Sequence, residues 1–168
     1  MKKFSLTIVA VITSIIFNGL QAQTTQPKLN QVELMRQFLG IWKSEIGKDT
    51  IVIGENAAFG NGIVSNSRIT TKNKILDSVK QLYGYDKKTD KIIIAELTES
   101  SPVIEMLAAW FTSETNGEMV LYQDISSPDK ASLKWKFEFK SPDMIVQTAI
   151  LNSTMIKEIT LNRIKGEQ

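Results

Sequence analysis

The stretch QFLGIWKSEI, residues 37–46, marks the point at which the chain changes its periodicity. Before it, Leu29, Val32, Met35, Phe38 and Leu39 recur at the spacing of one helical face. After it, Trp42, Ser44 and Ile46 alternate with Lys43 and Glu45, as in a strand with one face buried and one in water. Gly40 stands at the junction and ends the helical pattern. One short amphipathic helix over 29–39 is therefore expected, its apolar stripe serving as a plug against the domain core.

Beyond Gly40 the strand pattern continues to the end. Strands are expected near 41–47, 49–55, 62–71, 75–85, 91–97, 104–112, 118–124, 131–140, 143–151 and 155–165. Turn chemistry separates them: Asp86-Lys87-Lys88-Thr89-Asp90, Asn116-Gly117 as a two-residue hairpin signal, Ser127-Pro128-Asp129 and Ser141-Pro142-Asp143. The stretch around Pro102 admits a helical turn as well as a strand. In ASLKWKFEFK, residues 131–140, Ala131, Leu133, Trp135, Phe137 and Phe139 fall on one face and Ser132, Lys134, Lys136, Glu138 and Lys140 on the other. Such alternation belongs to antiparallel sheets with one face solvated. Short links with no crossover helices describe an up-and-down meander, and closing it removes the unpaired edges. The expected fold is all-β: a closed antiparallel up-and-down barrel of about 8–10 strands with a short N-terminal helix.

The first residues stand apart. Lys2 and Lys3 precede an apolar run from Phe4 to Phe17, and Ala22 offers a small residue for cleavage. This reads as a signal peptide over 1–22, favoured over a retained anchor, with the barrel domain at 23–168. The chain has no cysteine, hence no lipobox, and a periplasmic or secreted protein that is not a lipoprotein is expected. Without Lys2 and Lys3 the 20 basic residues fall to 18, level with the 18 acidic ones. A neutral mature chain gives no electrostatic ground for binding nucleic acid or an anionic membrane, and no stable membrane insertion is expected after cleavage.

Zero cysteine also excludes disulfides, thiolate metal sites and cysteine nucleophiles. Zero histidine removes the usual general base and the commonest metal ligand. Most hydrolase mechanisms are thereby closed, and no cofactor, metal or enzymatic activity is expected. Carboxylate-only chemistry stays open, through residues such as Glu96, Glu99, Glu105 and Glu138, because paired carboxylates meet in space rather than in sequence.

In the last strand, Ile159, Leu161 and Arg163 share a face. An arginine continuing an apolar face needs a partner. If the barrel closes, Arg163 lies beside Trp42 and can stack on the indole. Gly40-Ile41-Trp42 together with a late Arg163 resembles the lipocalin and calycin superfamily. YGYDKKTDKIIIAEL (83–97) and EITLNRIK are similar to a bacterial lipocalin-like family of unknown function. The resemblance implies a structural role for Trp42 and Arg163 at the closed base of a barrel.

Six residues are candidates for contact with a ligand. Trp135 and Phe137 lie on the apolar face of 131–140, Trp110 on the strand at 104–112, and Tyr83 and Tyr85 share a face beside a turn. Arg68 interrupts the polar strand GIVSNSRITT; turned inward it would receive an anionic head group, and turned outward it is merely solvated. The expected function is binding of a small apolar or amphiphilic molecule. Its alternatives are a ligand-free structural or interaction module of the cell envelope, with a filled lumen, and a carboxylate-dependent enzyme. Intact-mass measurement on protein from the native envelope fraction should show loss of residues 1–22. An uncleaved, membrane-embedded chain would contradict the leader reading.

Overall fold

A computed structural model describes residues 28–72 and 74–165; the expected leader at 1–22 lies outside them. Asn30 opens the helix α1 (Gln31–Met35), its side chain accepting from the Glu33 amide at 3.2 Å, as helix-capping asparagines do. One 3-10 turn, Arg36–Phe38, follows, and the chain is extended by Leu39. The helix is thus shorter than the 29–39 pattern suggests. Its apolar positions still reach the core: Met35 is fully buried, and Leu29, Leu34, Phe38 and Leu39 pack against the buried cluster.

Ten strands follow: β1 (Gly40–Ile46), β2 (Thr50–Phe59), β3 (Gly62–Thr71), β4 (Lys74–Asp86), β5 (Lys91–Thr98), β6 (Ile104–Phe111), β7 (Asn116–Leu121), β8 (Leu133–Ser141), β9 (Met144–Leu151) and β10 (Thr154–Ile164). Each pairs antiparallel with its sequence neighbours, and β1 also pairs with β10, which closes the barrel. Asn152 and Ser153, with φ of 48° and 66°, make the two-residue turn between β9 and β10.

Three local readings differ from the sequence pattern. Asn116-Gly117 is not the turn but the start of β7. Ser113 makes that turn instead, its hydroxyl accepting from the Asn116 amide at 2.9 Å, while the Thr112 amide donates to the Asn116 carbonyl at 2.8 Å. Gly117 answers to packing: a Cβ there would overlap the Phe137 ring. β7 ends at Leu121, because Tyr122–Asp124 folds into a 3-10 turn that packs against β6. The ambiguous stretch near Pro102 resolves as a strand from Ile104.

The seam between β1 and β10 answers the question raised by Gly40 and Trp42. Trp42 sits opposite Arg163, whose guanidinium carbon lies 4.3 Å from the indole centroid. Gly40 has φ +113°, and a Cβ on it would stand 2.5 Å from the guanidinium nitrogen. Only glycine accepts both that backbone conformation and that close approach. The guanidinium then donates to the carbonyls of Leu39, Gln37 (3.1 Å) and Pro142 (2.9 Å), and its Nε stands 3.1 Å from the Asp143 carboxylate. Trp42 Nε1 and Asn56 Nδ2 both donate to the Phe38 carbonyl, at 2.8 and 2.7 Å. The acceptors left over at the end of the helical segment are thus met by barrel side chains. At the other end of α1, buried Gln31 bonds both backbone groups of Phe111: it donates to the carbonyl at 3.1 Å and accepts from the amide at 2.7 Å.

Truncating Trp42 to alanine should cost about 3–5 kcal/mol in urea unfolding, as for other buried aromatics. Arg163→Ala should also destabilise, with a coupling between the two of about 1 kcal/mol in a double-mutant cycle. Arg163→Lys should recover little, since an ammonium cannot serve several carbonyls in one plane. Strictly additive losses would contradict the stacked seam.

Candidate functional site

The barrel lumen is the candidate site, and strand register settles which side chains enter it. Starting from buried Trp42 and Ser44, cross-strand partners carry the inward face round the ring. On β3 it holds Ile63, Ser65, Ser67 and Ile69; on β4, Val79, Gln81 and Tyr83; on β5, Ile92, Ile94, Glu96 and Thr98. β6 adds Glu105, Leu107, Ala109 and Phe111, and β7 to β10 add Met119, Leu121, Trp135, Phe137, Phe139, Ile145, Gln147, Ala149, Lys157, Ile159 and Leu161.

These residues divide the lumen into two halves. At the helix end Phe38, Phe111, Phe137 and Phe139 pack with ring centroids 5.1–6.3 Å apart, mostly edge to face, and Trp42 meets Phe139 at 6.4 Å. With Met35, Ile63, Ile92 and Ile145 they form a filled floor, each of these four residues at most 2% exposed. Toward the opposite end the inward face stays in contact with solvent. Val79, Gln81, Glu96, Thr98, Trp135 and Ile159 are only half-buried, Glu105 is exposed, and Leu151 is 41% exposed. Inward-facing yet accessible side chains describe a cup open at one end. Eight strands enclose little more than side chains or one small ligand, so ten leave room above the floor.

The cup is two-sided. β3 to β6 contribute Ser65, Ser67, Gln81, Glu96, Thr98 and Glu105; β7 to β10 contribute Met119, Leu121, Trp135, Ala149, Ile159 and Leu161, relieved by Gln147 and Lys157. On the polar wall the Tyr83 hydroxyl donates to Gln81 Oε1 at 2.8 Å, and Gln81 Nε2 donates to the Glu96 carboxylate. Burial, helped by the nearby Glu96 charge, pushes the Tyr83 phenol far above its ordinary value, so it stays a neutral donor. Glu105 stands directly across from Glu96. Among the described residues no group of three or more acidic side chains gathers to hold a metal.

The six candidates scatter. Tyr83, Trp135 and Phe137 face inward, but Phe137 is part of the packed floor, 5% exposed. Tyr85 shares the inward face, yet its hydroxyl is taken by Asp90 of the adjoining turn at 2.6 Å. Arg68 and Trp110 both point outward. Arg68 pairs with Ile53 and Ser78 on the outer face and is exposed, because Ser67 and Ile69 take the inward positions. There it borders a groove of about 940 Å³ lined mostly by outer-face residues, Ile53, Asn66, Lys80 and Leu97 among them. Trp110 lies on the outer face of β6 beneath Lys91, whose ammonium is 3.5 Å from the ring centroid and whose pKa burial lowers.

Sequence reasoning placed Ser44 on the face of Trp42 but missed Gln81, Glu96 and Glu105 as lumen residues. The signal for Glu96 was present: it continues the Ile92, Ile94 alternation of β5. No protein-family model matches the chain, and no curated protein matches it. The closed ten-strand antiparallel barrel is consistent with a lipocalin-like barrel.

The division of the lumen sets opposite costs for two neighbours on one strand face. Phe137→Ala should cost about 3–5 kcal/mol, since it empties a packed floor, whereas Trp135→Ala should cost clearly less, having fewer packing partners. Urea unfolding of the two variants measures this. Equal costs would mean that the lumen is packed as tightly around Trp135 as around Phe137.

Proposed function

We propose that this protein is a lipocalin-like carrier, exported to the periplasm or the medium, that holds a small amphiphile in the open half of its barrel. The observation that carries the reading is the half-exposed inward face above a sealed floor. A ligand entering the mouth would set its apolar body against Trp135, Met119, Leu121 and Ile159 and its polar end against β4 to β6. Such a site has the usual composition of a small-molecule pocket, mainly apolar with a few converging polar groups. Export is supported by the residues Lys2 to Ala22, and the absence of cysteine and histidine favours binding over catalysis.

Titration with a neutral amphiphile, 1-dodecanol, should change tryptophan fluorescence saturably. Affinity in the micromolar range corresponds to about −8 kcal/mol. Trp135→Ala should weaken that affinity severalfold and abolish most of the signal. No saturable response, together with no retained molecule in native mass spectrometry, would instead favour a ligand-free module.

A further inference from the structure

The links at the open end of the barrel differ from those at the sealed base in what they expose. In ring order the open end carries the β9–β10, β1–β2, β3–β4, β5–β6 and β7–β8 connections. Ile75 and Leu76 stand near the tip of the β3–β4 hairpin, and Met155 and Ile156 near the tip of β9–β10, each more than half exposed. Large apolar side chains presented together in this way mark a contact surface. The same two hairpins share a second feature. Each ladder has a β-bulge just inside its tip, and the residue left without a cross-strand partner is Leu76 in one and Ile156 in the other. A bulge bends its strand and re-aims the extra side chain. At the base, the bulge between Phe139 and Ser141 leaves out Lys140 instead.

Charge is divided in the same way. Lys48, Lys72, Lys74 and Lys157 lie at the ends of three successive hairpins, β9–β10, β1–β2 and β3–β4, and all four are exposed. The acidic group among these tips is Asp49, 3.9 Å from Lys72. Glu45 already pairs with Lys43 at 2.7 Å, and Glu158 stands farther from the tip, opposite Thr148. Asp77, beside Leu76, is taken by the β5–β6 link, where the Ser100 hydroxyl donates to it at 2.6 Å. Glu99, Glu105, Asp124 and Asp129 gather on or beside the remaining two links, relieved by Lys130. Overall neutrality therefore conceals a cationic, apolar-tipped sector on one side of the open end.

We propose that this sector docks the barrel on an anionic lipid bilayer, with Ile75, Leu76, Met155 and Ile156 entering the interface and the four lysines meeting lipid phosphates. The lysines match the negative potential of such a surface. The apolar pairs sit on separate hairpins with β1–β2 between them, so each enters a fluid layer independently, whereas a rigid partner would have to be shaped to both. Lysine suits the boundary, because its stem lies along the apolar layer while its ammonium stays in water. The contact is peripheral and reversible, as expected of a few inserted side chains plus charge. It turns one side of the open end to the lipid, and it holds whether or not the lumen carries a ligand.

Sedimentation of the mature chain with vesicles tests this, using equimolar phosphatidylcholine and phosphatidylglycerol against phosphatidylcholine alone. At low salt the chain should bind the mixed vesicles about tenfold or more tightly than the neutral ones, and high salt should shrink the difference. Lys72→Gln with Lys74→Gln should cost about fivefold per lysine on mixed vesicles and nothing on neutral ones. Leu76→Ser with Ile156→Ser should weaken binding to mixed vesicles about tenfold, with an unchanged urea midpoint because both side chains are exposed. Phe59→Ser, which alters an exposed apolar residue at the base, should leave binding as it was. Lipid docking is overturned by equal binding, or none, to the two vesicle types, and equally by loss of binding in Phe59→Ser but not in the Leu76, Ile156 variant. A dimer that this variant dissolves, with no binding to vesicles, would overturn it in favour of a second copy of the chain.

Discussion

The Arg163 guanidinium is the interaction on which the rest of the structure depends. It comes from the last strand, stacks on an indole from the first, and donates to carbonyls of the segment that leads into that first strand. A meander of ten strands has two free edges until β1 meets β10, and those edges expose unpaired backbone groups. Arg163 joins them and at the same time ties down the helical plug. Gly40 exists in this arrangement to leave room: its missing Cβ is where the guanidinium lies. Glycine, tryptophan and arginine thus form one device, and each would make little sense without the other two.

A sealed base then decides where anything can bind. The plug delivers Met35 and Phe38 into the end of the barrel, where Phe111, Phe137 and Phe139 complete an aromatic layer. Gln31 anchors the plug by acting as a strand partner for Phe111, which satisfies backbone groups where β6 ends. Above that layer the strands continue, and the β7–β8 link at that end carries two 3-10 turns, Tyr122–Asp124 and Pro128–Lys130. Position along each strand therefore sorts function: the same inward face is core near the helix and cavity wall farther up. On β8 this boundary falls between Phe137 and Trp135, two residues apart. On β5 it falls between Ile94 and Glu96.

Most of the fold was legible because alternation in an antiparallel barrel is written residue by residue. All ten strands lie within a few residues of where period-two patterns and turn residues put them, and β3 spans the expected 62–71. What stayed illegible was facing, wherever both faces of a strand carry the same kind of residue. In GIVSNSRITT small polar groups occur at odd and even positions alike, so nothing local says that Ser67 rather than Arg68 turns inward. In IEMLAAWF, Leu107, Ala108 and Ala109 are all buried in a row, which erases the period and hides the outward direction of Trp110. Glu105 is the converse case. Its meeting with Glu96 depends on register across the β5–β6 hairpin, which the sequence of either strand alone does not contain.

The central claim is that the lumen is sealed at the helix end and open at the other. A chain without cysteine allows this to be measured directly, since any thiol introduced is the only one present. Single cysteines at inward positions near the mouth, Val79→Cys and Ile159→Cys, should react with a soluble disulfide reagent at nearly the rate of the unfolded chain. Cysteines at Ile92 and Ile145 in the floor should react only as fast as the protein unfolds. Equal protection at all four positions in folded protein would contradict the open cup and would describe a barrel packed solid from end to end.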